Sequence, residues 1–217
     1  MKKFFSTIVL VMCLGATAAL AQSSGSFNFA SDTTSCTDIG GLLGTGIPTN
    51  SIKTTMKVSS GNGVALVVRP SAVTGLLTNL SLGGFAGGGT KSGSAQASIA
   101  FAVTVTPLSG QAPPTVTPGA PVTYDDRFVQ ISTNLFNAIA GCTVVDPCFF
   151  DFNETTLSAH SFDFVVTGLS SGNYGITVTW TPSTTATAPN VAKACVGPVV
   201  LTATQTKIFN QSTGIVF

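Results

Sequence analysis

The chain is short of charge. Lys, Arg, Asp and Glu make up 8% of its 217 residues, against about 25% in an ordinary soluble domain. The formal net charge is +1. This excludes a basic nucleic-acid surface and a polybasic membrane patch. Histidine occurs once, as His160, and tryptophan once, as Trp180. With one imidazole and no C-x-x-C motif, zinc is weakly supported. One Trp and two Tyr leave little material for a sugar-stacking platform. Beyond the first residues no apolar run is long enough for a membrane-spanning helix.

Thr, Ser, Gly, Ala and Val take the place of the missing charges. They make a neutral, hydroxyl-rich surface compatible with strands. Low net charge combined with high apolar content is the reverse of the disordered signature.

The opening stretch, MKKFFSTIVLVMCLGATAALAQ, has the three parts of a secretory signal. Lys2 and Lys3 form the basic region, Phe4 to Leu14 the apolar run, and Ala19-Leu20-Ala21 the cleavage site. Residues 1–21 are therefore expected to be removed in a Sec-type export, with the mature chain beginning at Gln22. The short signal points to a bacterial source and to the extracellular space, cell surface or periplasm. Met12 stands where a lipid-attachment signal before Cys13 would carry a small residue, which argues against a lipoprotein. Without Lys2 and Lys3 the net charge becomes −1. Residues 22–217 suffice for one domain, burying roughly 70% of the surface its unfolded chain exposes.

Four cysteines remain: Cys36, Cys142, Cys148 and Cys195. An even number in an exported chain reads as two disulfides, with three pairings open. The turn at Asp146-Pro147 favours Cys142–Cys148, which leaves Cys36–Cys195 to join the start of the mature chain to its last strands. The chain-entropy model gives the short loop ~2 kcal/mol and the long one ~5 kcal/mol.

Period-two alternation dominates the rest. Ile99, Phe101, Val103 and Val105 share one face, as do Phe162, Phe164 and Val166, and again Tyr174, Ile176, Val178 and Trp180. Each reads as a half-buried antiparallel strand. Gly61-Asn62-Gly63 separates two strand-like runs, and Asn62-Gly63 suits a type I′ hairpin. Residues 83–93 form a Gly-rich loop. Residues 107–121 form a Pro-rich connection that cannot be a central strand, read as a surface loop rather than a linker between two domains. One segment departs from alternation: Phe128, Ile131, Leu135 and Ile139 are three and four apart. They predict a strand followed by one or two helical turns around 134–140.

The fold class expected is all-β, an antiparallel two-sheet sandwich of about nine or ten strands with one short helix, in a single domain. An up-and-down barrel is the competitor. Alternation of Phe209, Ile215 and Phe217 near the C-terminus suits an outer-membrane strand. However, the outward Thr, Ser and Gly positions do not suit lipid.

Gly168-Leu169-Ser170-Ser171-Gly172 matches G-x-S-x-G, with His160 and Asp163 upstream. A nucleophile elbow needs a helix after the serine, whereas the residues after Gly172 alternate as a strand. His160 and Asp163 also have opposite parity on one predicted strand. A hydrolase using Ser170 and His160 is therefore the alternative, and a turn the preferred interpretation. His160 is expected near the core as a structural residue. Asp125 and Asp126, in Tyr124-Asp125-Asp126-Arg127, are a weak calcium candidate against a structural charge cluster. Asp151 and Glu154 are too isolated for glycosidase carboxylates. Three formal sequons begin at Asn79, Asn153 and Asn210, and carry no weight in a bacterial chain.

The stretch FDFVVTGLSSGNYGITVTW, residues 162–180, resembles the strand–turn–strand of immunoglobulin-like and fibronectin-type sandwiches. The resemblance covers about twenty residues and implies architecture only. It places Leu169, Gly172 and Tyr174 at a tyrosine corner, with the Tyr174 hydroxyl bonded to nearby backbone. The expected protein is a secreted structural, adhesive or binding module without catalytic machinery, cofactor or metal. Its partner would be a protein or surface ligand, with a second copy of the chain among the candidates through strand-edge pairing.

Overall fold

The computed structural model describes residues 26–32, 35–37, 50–59, 63–87, 92–137 and 141–207. The expected signal at 1–21, the hairpin dipeptide's Asn62, and residues 88–91 of the Gly-rich loop lie outside these residues.

The described chain forms an all-β antiparallel sandwich of two sheets with one short helix. Its strands are β1 (Phe27–Asp32), β2 (Ser35–Thr37), β3 (Asn50–Val58), β4 (Val64–Gly84), β5 (Ser92–Pro107), β6 (Thr115–Thr117), β7 (Val122–Ser132), β8 (Cys148–Ser161), β9 (Phe164–Thr167), β10 (Gly172–Ala186) and β11 (Val191–Lys207). The helix, α1, is Asn134–Asn137. The seven-stranded sheet runs β1-β11-β4-β9-β6, with β2 also on β11 and β8 also on β4. The four-stranded sheet runs β3-β10-β5-β7. Two open sheets replace the closed cylinder of the barrel alternative.

Alternation places the core. Ile99, Phe101 and Val105 from β5 are buried together with Tyr174, Ile176, Val178 and Trp180 from β10. They face Leu66, Val68, Leu76 and Leu80 of β4 and Val199 and Leu201 of β11. The Phe101 ring lies between Tyr124 at 4.2 Å and Trp180 at 5.9 Å between centroids.

The Asn62-Gly63 expectation is corrected. β3 pairs with β10 and β4 with β11, β8 and β9, so the two strands flanking that dipeptide belong to different sheets and form no hairpin. Turn chemistry is local, whereas sheet membership is decided by which core face each strand must cover. The arrangement also differs from the immunoglobulin constant-type order, in which the last strand pairs within the smaller sheet. Here the last described strand, β11, lies beside β4.

The helical expectation is met at α1 but not by the residues that suggested it. Phe128 and Leu135 are 60% and 41% exposed, while Phe136 is buried against Gly84 and Thr133. Strand parity governs as far as Ser132, so the three-and-four spacing across that boundary was coincidental. The 107–121 connection carries the short edge strand β6, paired among the described residues only with β9, in keeping with its prolines. Phe162 and Asp163 interrupt the alternation predicted from 162 to 166: the chain leaves β8 at Ser161 and enters β9 at Phe164.

Pro70 explains why the chain can break there. β9 covers β4 at Leu66 to Val68, and β8 covers it from Ser71 onward. Pro70 sits in the gap, where the proline's missing N–H and its carbonyl fall between two ladders.

Candidate functional site

That gap organises the densest polar cluster among the described residues. It begins with a β-bulge: Ile99 faces Asp125 across the β5–β7 ladder, but Ala100 faces Thr123. The extra residue, Tyr124, changes the parity, as bulges do. Tyr124 and Asp125 consequently both turn towards the opposite sheet, whereas Asp126 points outward.

The Tyr124 hydroxyl donates to the Pro70 carbonyl at 2.7 Å. Burial pushes its pKa up to about 12, against the lowering by a backbone hydrogen bond from Phe162, with a further raising by the nearby Asp163 charge. Asp125 Oδ2 accepts from Thr74 Oγ1 and from Ser158 Oγ, each at 3.2 Å. Ser158 Oγ lies 2.7 Å from His160 Nε2, and the His160 ring tilts against Tyr124 at 5.9 Å. Thr74 is fully buried. Further along the same strands Arg127 Nε approaches Glu154 at 3.8 Å, and the Arg127 Nη1 atom is buried without a protein partner.

The cluster resembles a Ser–His–Asp set in composition but not in wiring. In a nucleophilic triad the carboxylate holds the imidazole, and the imidazole accepts the serine proton. Here Asp125 reaches the serine itself. Ser158 has one proton; directed to the carboxylate, it leaves the serine oxygen to accept from His160 Nε2–H. The resulting chain, His160 to Ser158 to Asp125, links three strand positions and directs the serine proton away from the imidazole. It also joins the sheets, since Asp125 belongs to β7 and Ser158 and His160 to β8.

His160 is half-buried and does not meet Ser170, which belongs to the β9–β10 connection. There the Ser170 N–H donates to the Tyr174 hydroxyl at 3.1 Å, and that hydroxyl donates to the Ser170 carbonyl at 3.1 Å. Tyr174 is fully buried, and Leu169 packs against the core. This is the tyrosine corner that residues 162–180 resemble. Gly168 and Gly172 adopt φ of +73° and +150°, and a Cβ on Gly172 would collide with the side chain of Gln111. The G-x-S-x-G pattern is thus a corner between sheets.

Asp126 accepts from Gln96 Nε2 at 3.2 Å on the outer face, so it and Asp125 do not converge as calcium ligands. Among the described residues no three His, Cys, Asp or Glu side chains are placed to hold a metal. Asp163 lies on the outer surface in a two-pronged pair with Arg69, at 2.6 and 2.7 Å. The guanidinium holds the Asp163 carboxyl below the usual range. Cys142 and Cys148 are disulfide-bonded, closing a ring with Val144 and Val145 exposed at its tip. Cys195 is disulfide-bonded, and Cys36 is the residue opposite it in the ladder; the Cys36 side chain lies outside the described residues.

Thr74 and Ser158 were absent from the candidates predicted from sequence. Their only signal was their parity with His160 and the buried residues of β4, which two hydroxyl residues in a Thr/Ser-rich chain do not make distinctive. Compared with known families and with curated proteins, the chain matches no family model and no curated protein.

Proposed function

We propose that the chain is an exported structural or adhesive module that works without catalytic chemistry and associates with further copies of itself through a strand edge. The observation that carries this is β8. It runs for 14 residues, pairs with β4 along one side, and has no described strand on the other. Phe149 and Leu157 project from it, 75% and 79% exposed. A long edge without a described partner strand is a template for further pairing.

Three of the other edges are blunted. β6 has three residues and prolines on either side. β7 carries the bulge and the Asp125-Asp126-Arg127 run. β3 is covered by β1, whose Asn28 side chain donates to the Thr55 carbonyl at 2.6 Å. The signal-like residues 1–21 and a surface poor in charge support export. Light scattering coupled to size-exclusion chromatography, on the chain from Gln22, tests the proposal. Mass rising with concentration is expected, and Leu157→Lys should lower it. A monomer at every concentration refutes self-association.

The 2.7 Å contact between Ser158 and His160 favours a second interpretation, a hydrolase with Ser158 as nucleophile. Screening the protein against ester and peptide substrates decides it: activity lost in both Ser158→Ala and His160→Ala would establish it, and its absence in the parent chain would end it.

A further inference from the structure

Two unpaired edges, not one, border the same side of the sandwich. Among the described residues β7 pairs only with β5, and β8 only with β4. At one end their inward faces are tied by Asp125 with Ser158 and by Arg127 with Glu154. Beyond these ties the inward faces carry Val129 and Ile131 on β7 and Phe152 and Phe150 on β8. All four are only half-buried, and the Phe150 and Phe152 rings stack at 6.4 Å with an 8° interplanar angle. Deeper in the sandwich their neighbours Leu80 and Ala95 are almost fully buried. The polar ties thus join the two strands at one end; beyond them, as far as the α1 and disulfide-ring connection from β7 to β8, the margin between the two edges is apolar, and this margin is the slot.

We propose that this slot receives residues 208–217 of a second copy of the chain, added as a further strand against β8; the inference rests on the self-association proposed above. Reach identifies the donor as another copy. Residue 208 follows Lys207, which pairs with Val64 at the start of β4. Phe152 pairs with Leu80, sixteen positions further along β4, or about 50 Å at the rise of a strand. Ten extended residues span at most about 36 Å. The segment cannot fill the slot of its own molecule.

Its sequence, IFNQSTGIVF, has no charged side chain to desolvate and is apolar at both ends. Phe209, Ile215 and Phe217 share one face, and Ile215 and Phe217 repeat the two-residue spacing of Phe150 and Phe152. Backbone pairing with β8 would supply affinity, and the apolar face would supply register.

The test compares the chain from Gln22 with a variant lacking 208–217 and with the full-length double variant Ile215→Asp, Phe217→Asp. Both variants should melt as cooperatively as the parent and sediment as monomers. A labelled peptide of residues 208–217 should bind the deletion variant and raise its Tm, and Phe150→Ser should weaken that binding. An oligomer that survives the deletion overturns the assignment of this segment and leaves self-association standing. A parent chain that is itself monomeric overturns both. A peptide that does not bind the folded deletion variant overturns the slot as its receptor.

Discussion

The two tyrosines fasten the fold at two places where the chain changes partners. Tyr174 holds the corner between β9 and β10, accepting from and donating to Ser170. Tyr174→Phe keeps the ring and removes both bonds, and should cost about 1–2 kcal/mol, read as a lower urea midpoint with an unchanged m-value. Tyr124 holds β7 to the gap at Pro70. Its phenol pKa is raised from 10.0 to about 12, chiefly by burial, so the fold favours the neutral form. Its contribution is complete below the unfolded value and is lost as pH rises through the folded one. Stability should therefore fall by about 1–3 kcal/mol between roughly pH 10 and 12. Urea titrations across that window check this, and Tyr124→Phe should flatten the decline. Asp163 has the opposite sign: its pKa is lowered by Arg69, so its contribution is present above the ordinary carboxylate range and fades as pH drops below it. Both partners are exposed, so salt should remove most of it.

Elements show what could be foreseen from the sequence and what could not. The strands around Phe101, Phe164 and Tyr174 were legible because one buried face imposes a two-residue period on a single chain segment. The corner at Leu169 to Tyr174 was legible because its φ demands select glycine, and Gly172→Ala should cost about 1–3 kcal/mol in thermal unfolding. The Tyr124–Asp125 bulge was not legible. A bulge inserts one residue into a ladder without needing a distinctive residue type, yet it decides that Asp125 meets Ser158. Nor did Asn62-Gly63 reveal that β3 and β4 lie in different sheets, because a turn dipeptide carries no information about which core face its flanking strands cover. The Cys142–Cys148 ring was legible from the Asp146-Pro147 turn between the two cysteines. Opening it by replacing both cysteines with serine should cost about 2 kcal/mol, read by denaturation with and without reductant.

At the scale of the whole molecule, donor and acceptor surfaces differ: the segment after Lys207 leaves near Val64, and the slot lies towards Gly84. An interface between unlike surfaces joins copies head to tail, and unless its rotation closes a ring it continues without limit. Mass should then rise steadily with concentration rather than level off at two copies. The forces involved predict a second property. The slot is lined by Phe150, Phe152, Val129 and Ile131, the donor has no charged side chain, and the chain as a whole carries few charges. Screening acts on exposed charges and leaves backbone pairing and apolar burial largely untouched. Raising salt from about 0.05 to 0.5 M should change the association constant by less than about threefold, because the incoming segment has no charged side chain to pair with Asp151, Glu154 or Arg127 beside the slot. Sedimentation equilibrium at the two salts measures it. A fall of an order of magnitude or more would shift the interface to a charged surface such as Arg69 and Asp163, away from the β8 edge.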